Sequence, residues 1–178
     1  GEYQKIILSR RITLAAPVDL LASYHVGRRF NTPARSFIAR LNDDHFIGFS
    51  PETVVEVSDS GAVSTQPLAG TRALTADEAE NRRLREVLSN DTKEIAEHAV
   101  SVKLAIEELI PLCENHSTHV SDFMHVSLRG SVQHLASRIK GQLRKEFNAW
   151  DAFGALFPAV TASGIPKRSA IEAIQRLE

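Results

Sequence analysis

Four stretches rich in β-branched and aromatic residues follow one another between residues 36 and 66: 36–40, 45–49, 53–58 and 62–66. Only short connections separate them, among them the polar turns Asn42-Asp43-Asp44 and Asp59-Ser60-Gly61. A parallel pair needs a crossover of about a dozen residues, so connections this short predict antiparallel neighbours in a meander. Residues 5–10, continuing through Ile12-Thr13-Leu14, read as an earlier strand, and residues 67–72 as a turn that ends the sheet segment. Pro17 opens a short helix over 18–30. Helical periodicity is expected over 76–89 and 91–112, extended chain over 118–128 and 131–143, and a short helix over 150–156. A loop at 162–166 leads to Pro166, which opens a last helix over 167–177. Runs of strands followed by helices predict an α+β fold with a mostly antiparallel sheet and outer helices.

A chain of 178 residues holds one sizeable core and is read as a single domain over 1–178. With 43% apolar and 24% charged residues it is an ordinary globular sequence, and a net charge of −1 gives no general attraction to nucleic acid or to an anionic membrane. No apolar run reaches the ~18 residues of a membrane span, and the start lacks a signal-peptide pattern. A lone Cys113 fits a reducing compartment, so the expected location is cytoplasmic. The chain begins shortly before a strand and ends inside a helix, which reads as a piece of a longer protein.

The stretch Asn90 to Val100 has the strongest local grammar. Asp91 is a good N-cap, Glu94 stands three residues on as in a capping box, and Ile95, Val102, Ala105, Ile106 and Leu109 mark one helical face. Glu94 and Glu97 are three apart and lie on one side of the helix. Two acids so placed suit a hard cation such as Mg2+, which takes carboxylate oxygens. The same spacing also describes a solvated face with a Lys93–Glu97 ion pair, and spacing alone does not choose between the two.

Several motifs carry more than periodicity. Lys5-Ile6-Ile7-Leu8-Ser9-Arg10, Ser50-Pro51-Glu52, Pro67-Leu68-Ala69-Gly70-Thr71-Arg72 and Lys93-Glu94-Ile95-Ala96-Glu97-His98 occur in the order seen in chorismate-utilising enzymes. Residues 123–135 (Phe-Met-His-Val-Ser-Leu-Arg-Gly-Ser-Val-Gln-His-Leu) and 157–167 (Phe-Pro-Ala-Val-Thr-Ala-Ser-Gly-Ile-Pro-Lys) also resemble that family, which includes the anthranilate, aminodeoxychorismate, isochorismate and salicylate synthases. The last two are most similar to the salicylate synthases of bacterial siderophore pathways. The resemblance implies part of a two-lobed α/β sandwich, with chorismate as substrate and Mg2+ as cofactor. It implies Glu97 as a metal ligand, with Glu94 a ligand or a holder of metal-bound water.

The resemblance further implies Lys5 as the base that activates water for attack at C2, which demands an amine uncharged at working pH. Glu52 would be the acid that protonates the departing C4 hydroxyl, its pKa raised by an apolar setting among Phe49, Pro51 and Val54. Gly70 and Thr71 would contact the substrate from a turn. His134 and Thr161 would line its pocket, where orientation or packing competes with a catalytic part. His25, His45, His98, His116, His119 and His125 read as structural or exposed. Anthranilate synthases carry glutamine where Lys5 stands, and aminodeoxychorismate synthases typically carry lysine where Ala69 stands. Lys5 with Ala69 therefore implies water addition to give isochorismate, and residues 130–135 and 159–166, which resemble the salicylate branch, imply pyruvate loss to salicylate. Stopping at isochorismate, or serving as a non-catalytic scaffold, are the alternatives. Family members are longer, and their C-terminal region supplies further metal carboxylates, an arginine and a tyrosine. The 178 residues alone are therefore expected to hold a partial metal shell, to bind chorismate poorly and to turn over little.

Overall fold

The computed structural model of the chain describes residues 3–178. In order the elements are β1 (Lys5–Ile6), α1 (Leu20–Phe30), β2 (Arg35–Leu41), β3 (Asp44–Ser50), β4 (Thr53–Val57), β5 (Ala62–Gln66) and β6 (Leu68–Ala73). Then come α2 (Glu78–Asn90), α3 (Thr92–Leu109), β7 (His119–Arg129), β8 (Val132–Gln142), α4 (Ala149–Leu156), a 3-10 turn (Val160–Ala162), β9 (Gly164–Ile165) and α5 (Lys167–Leu177). All strand pairs among the described residues are antiparallel, as the short connections require.

The meander does not form as one sheet. β2 and β3 make a separate hairpin, whereas β4 and β5 join a five-stranded sheet with β6, β7 and β8. Strand β8 is the hub. One edge pairs with β5 through Ala62↔Gln142 to Thr65↔Ile139 and then with β6 through Leu68↔Ala136 to Ala73↔Val132; the other edge pairs with β7. Residues 67–72, expected as a turn, are therefore mostly strand. Gly70 at φ 72° makes a bulge that shifts the register between Ala69 and Thr71, so a turn-like composition sits inside a paired strand.

The expected strand over 5–14 shrinks to Lys5–Ile6, because the pairing is antiparallel and its partner, past Gly164 and the Ile7 N–H bond to Ser163 O, curls into the 3-10 turn Val160–Ala162 and offers no further ladder. Residues 162–166, read as a loop, supply that partner. Gly164 is required there: at φ 147°, a Cβ on it would stand 2.2 Å from Lys5 O and 2.7 Å from Ala170 Cβ.

Helix α3 lies across the sheet, burying His98, Ser101, Val102, Ala105 and Leu109. Val102, Ala105 and Leu109 join Val63, Ile139, Leu143, Ala152 and Leu156 in the main core. The helix starts where the sequence places it, with the Asp91 side chain accepting from Lys93 N and Glu94 N. The Glu94 carboxylate does not complete a capping box but turns to Arg72. α3 ends at Leu109, two residues before Pro111 and earlier than expected. No helix among the described residues is long and apolar enough to cross a membrane.

Leu109 has no exposed surface, so Leu109→Ala is expected to remove about 2–5 kcal/mol of unfolding free energy. Arg168→Ala, whose side chain is 93% exposed, should change it by less than about 0.5 kcal/mol. Urea unfolding of the two variants checks both.

Candidate active site

The acids of α3 sit on its shoulder, where the buried stripe meets solvent. Glu94 Oε1 lies 3.5 Å from Arg72 Nη1, and Arg72 Nη2 also holds Asp91 Oδ2 at 2.8 Å. The Asp91 carboxyl is held below its usual range, first by the Glu94 N–H that it caps and also by Arg72. Gly70 passes directly beneath Glu94: a Cβ there would meet Glu94 Oε2 at 3.1 Å and Leu88 Cδ1 at 2.9 Å. The glycine is needed for this close approach as well as for its positive φ.

Glu97 faces two lysines. Lys5 Nζ stands 4.0 Å from Glu97 Oε2, and Lys93 Nζ is 4.0 Å from Glu97 Oε1. The Lys93 contact is the ion pair expected of a solvated face. The Lys5 contact is long-range and depends on β1 pairing with β9. Lys5 and Glu97 together line a cleft of about 250 Å³ with Gln4, Ala96, Val100 and Ile165.

Glu52 stands apart from the cations. Its Oε2 accepts from Thr161 Oγ1 at 2.9 Å, across 109 residues of chain. Burial pushes its carboxyl up to about 7, only partly countered by the Thr161 hydroxyl and the Leu68 N–H. It borders a narrow hollow with Val54, Thr65, Pro67, Ser101 and Val160. The apolar setting predicted for it is therefore found, built by Val54, Pro67 and Val160 more than by Phe49. One short segment, Val160 to Ile165, serves both ends of the site: Thr161 contacts Glu52 and Ile165 pairs with Lys5.

Thr71 and His134 are register partners on β6 and β8, and Thr71 Oγ1 lies 2.9 Å from His134 Nδ1. Burial lowers the His134 pKa. Its Nε2 is buried with no hydrogen-bond partner, an unspent polar atom. His134 lines a cleft of about 210 Å³ with Asn31, Pro33, Phe49, Pro51 and Arg129. The eight predicted residues thus pair off as Lys5–Glu97, Glu94–Gly70, Glu52–Thr161 and Thr71–His134; Lys5 with Glu97, Glu52, and His134 line three separate hollows, and Glu94 and Gly70 line none of the three. Arg72 and Arg129 were not singled out as site residues. Both are side chains whose partners, Asp91 and Glu94 for one and Pro51 O for the other, come from distant sequence.

Two carboxylates one turn apart, each beside a cation, form a donor set of hard oxygens that fits Mg2+. It is a partial set: among the described residues no group of three or more His, Cys, Asp or Glu side chains could hold a metal. Water and an anionic ligand would have to complete such a shell.

The sequence matches the chorismate binding enzyme family over residues 1–178. It is 47% identical over its full length to a salicylate synthase of Mycolicibacterium paratuberculosis, of which it covers 40%. It is 37% identical to component 1 of the anthranilate synthase of Saccharolobus solfataricus, of which it covers 42%. The chain thus spans about 40% of the length of the curated relatives it matches. Among solved structures, anthranilate synthase component I from Streptococcus pneumoniae superimposes with a TM-score of 0.80 at 34% identity, over 92% of this chain and 35% of that one. The menaquinone-specific isochorismate synthase from Escherichia coli gives 0.81 at 26% identity, over 99% and 41%. With every residue inside the family match and the same fold in both solved relatives, this chain belongs to the chorismate binding enzymes.

Proposed function

We propose that this chain is part of a Mg2+-dependent salicylate synthase that isomerises chorismate to isochorismate and then eliminates pyruvate. The observation that carries the reading is the contact of Lys5 with Glu97, which puts an amine beside one of the two helix carboxylates in one cleft. The similarity to a salicylate synthase over the whole chain supports it. So does lysine at position 5, where the resembling anthranilate synthases carry glutamine.

In the first step the Lys5 amine takes a proton from water as its oxygen bonds to C2 of the substrate. The ring double bond shifts, and the C4–O bond breaks as Glu52 delivers a proton to the departing hydroxyl, which leaves as water. Glu52 suits this task because burial raises its pKa to about 7, whereas Glu94 has Arg72 and Glu97 has Lys93 beside it. Mg2+ held by Glu97 and Glu94 would neutralise the ring carboxylate and withdraw electrons from the ring as a Lewis acid. The bulge at Gly70 offers close backbone approach, and His134, beside Thr71, has an Nε2 without a partner among the described residues. In the second step the C3 ether bond breaks, the C2 hydrogen passes to the enolpyruvyl methylene, and the ring becomes aromatic. Such a concerted transfer needs a shaped pocket more than a further acid or base. Siderophore biosynthesis and a cytoplasmic location follow from the same reading. The likeness to isochorismate synthases favours one alternative, release of isochorismate after the first step.

Lys5→Gln in the full-length protein is expected to lower formation of both isochorismate and salicylate by at least about a hundredfold. Chromatography of the products checks this, and unchanged turnover removes Lys5 as the base. Glu52 must be protonated to act and ionises near 7, so kcat/KM should fall about tenfold per pH unit above that point. A profile still rising past pH 8 contradicts Glu52 as the acid.

A further inference from the structure

His98 is fully buried, at a position on the core stripe of α3 where an apolar side chain would pack at lower cost. Its Nε2 lies 2.7 Å from Ser137 Oγ, and Ser137 is itself fully buried in the middle of β8. Ser137 Oγ also accepts the N–H of Met124 at 2.9 Å. Met124 has φ 50° and stands where β7 loses register against β8, between Asp122 and His125. The serine hydroxyl accepts the Met124 N–H and keeps both its own proton and a further lone pair with which to meet His98 Nε2. A polar relay therefore ties α3 to the centre of β8 and to the bulge of β7.

We infer that His98 is the positioning residue that sets the rotation and height of α3, and so aims Glu94 and Glu97. Glu97 directly precedes it and Glu94 lies one turn earlier. The contacts these carboxylates make themselves, 3.5 Å to Arg72 and 4.0 Å to Lys5, are long, and the short Arg72 contact at 2.8 Å holds Asp91 at the cap and not the glutamates. The apolar contacts of Val102, Ala105 and Leu109 lie further along, whereas the directional hydrogen bond between His98 and Ser137 ties the turn beside the glutamates to a strand held on both edges.

The inference rests on the reading of Glu94 and Glu97 as metal ligands, and Mg2+ titration calorimetry of the full-length protein tests it alongside urea unfolding. His98→Leu keeps bulk without the hydrogen bond, Ser137→Ala removes the other end, and His98→Gln restores a polar group at similar reach. Loss of a residue that orients ligands typically weakens metal binding by about 10–100-fold, so H98L and S137A should each bind Mg2+ at least about tenfold more weakly while unfolding cooperatively. Their combination should be no weaker than either alone, and H98Q should recover most of the affinity. Folded H98L or S137A binding within about twofold of wild type overturns the inference, as does H98Q binding no better than H98L. If H98L fails to fold, S137A decides alone. If the wild-type protein gives no Mg2+ binding, the metal reading fails and takes this inference with it; binding that is indifferent to the variants removes only the inference.

Discussion

Strand Val132–Gln142 is hydrogen-bonded along both edges, and the candidate site takes its geometry from that strand. One edge takes β7 from His119 to Arg129, and the other takes β5 and then β6. A strand paired on both sides cannot slip by one residue without exchanging its buried and exposed faces. Gln133, Leu135, Ala136, Ser137 and Ile139 are all at most 1% exposed, so that register is strongly held. From it hang Thr71 opposite His134, Gly70 at the bulge, and the helix α3 that carries the paired glutamates.

The electrostatics divide the carboxylates by their neighbours. Glu94 has the Arg72 cation, and Glu97 has the Lys93 cation as well as the Lys5 amine. Glu52 has no cation, only a hydroxyl and a backbone N–H, and burial dominates its ionisation. Acids kept apart in this way can hold a cation and donate a proton at the same pH, a division of labour that one shared environment would forbid. The segment Val160 to Ile165 adds the coupling, since it braces Glu52 through Thr161 and Lys5 through β9.

Much of the fold was legible because its signals are local. Asp91 marks the start of α3, Pro166 the start of α5, and the β-branched stretches fall on β2 to β5 within a few residues. Failures came where a distant partner decides. β1 is short because β9 is short, and nothing in residues 5–14 records the length of the partner. The stretch around Gly70 resembles a turn, yet β8 recruits it as a strand. Division of the meander into a hairpin and a larger sheet depends on β8, which arrives many residues later. The site residues themselves were named through family motifs, whereas their pairings, such as Glu52 with Thr161 across 109 residues, are set by the fold. His98, read as structural or exposed, is buried, and the sequence does not choose between the two because a polar ring in an apolar stripe breaks the periodicity that announces a buried face.

The central claim is that an amine beside the carboxylate pair activates water rather than ammonia. Incubating the full-length protein with chorismate and Mg2+ in oxygen-18 water, then weighing the salicylate by mass spectrometry, tests it directly. The account predicts one heavy oxygen in the phenolic position, because the C2 hydroxyl comes from solvent and is retained when pyruvate leaves. Salicylate without the label, or an amino-substituted product when ammonium is supplied, would contradict it.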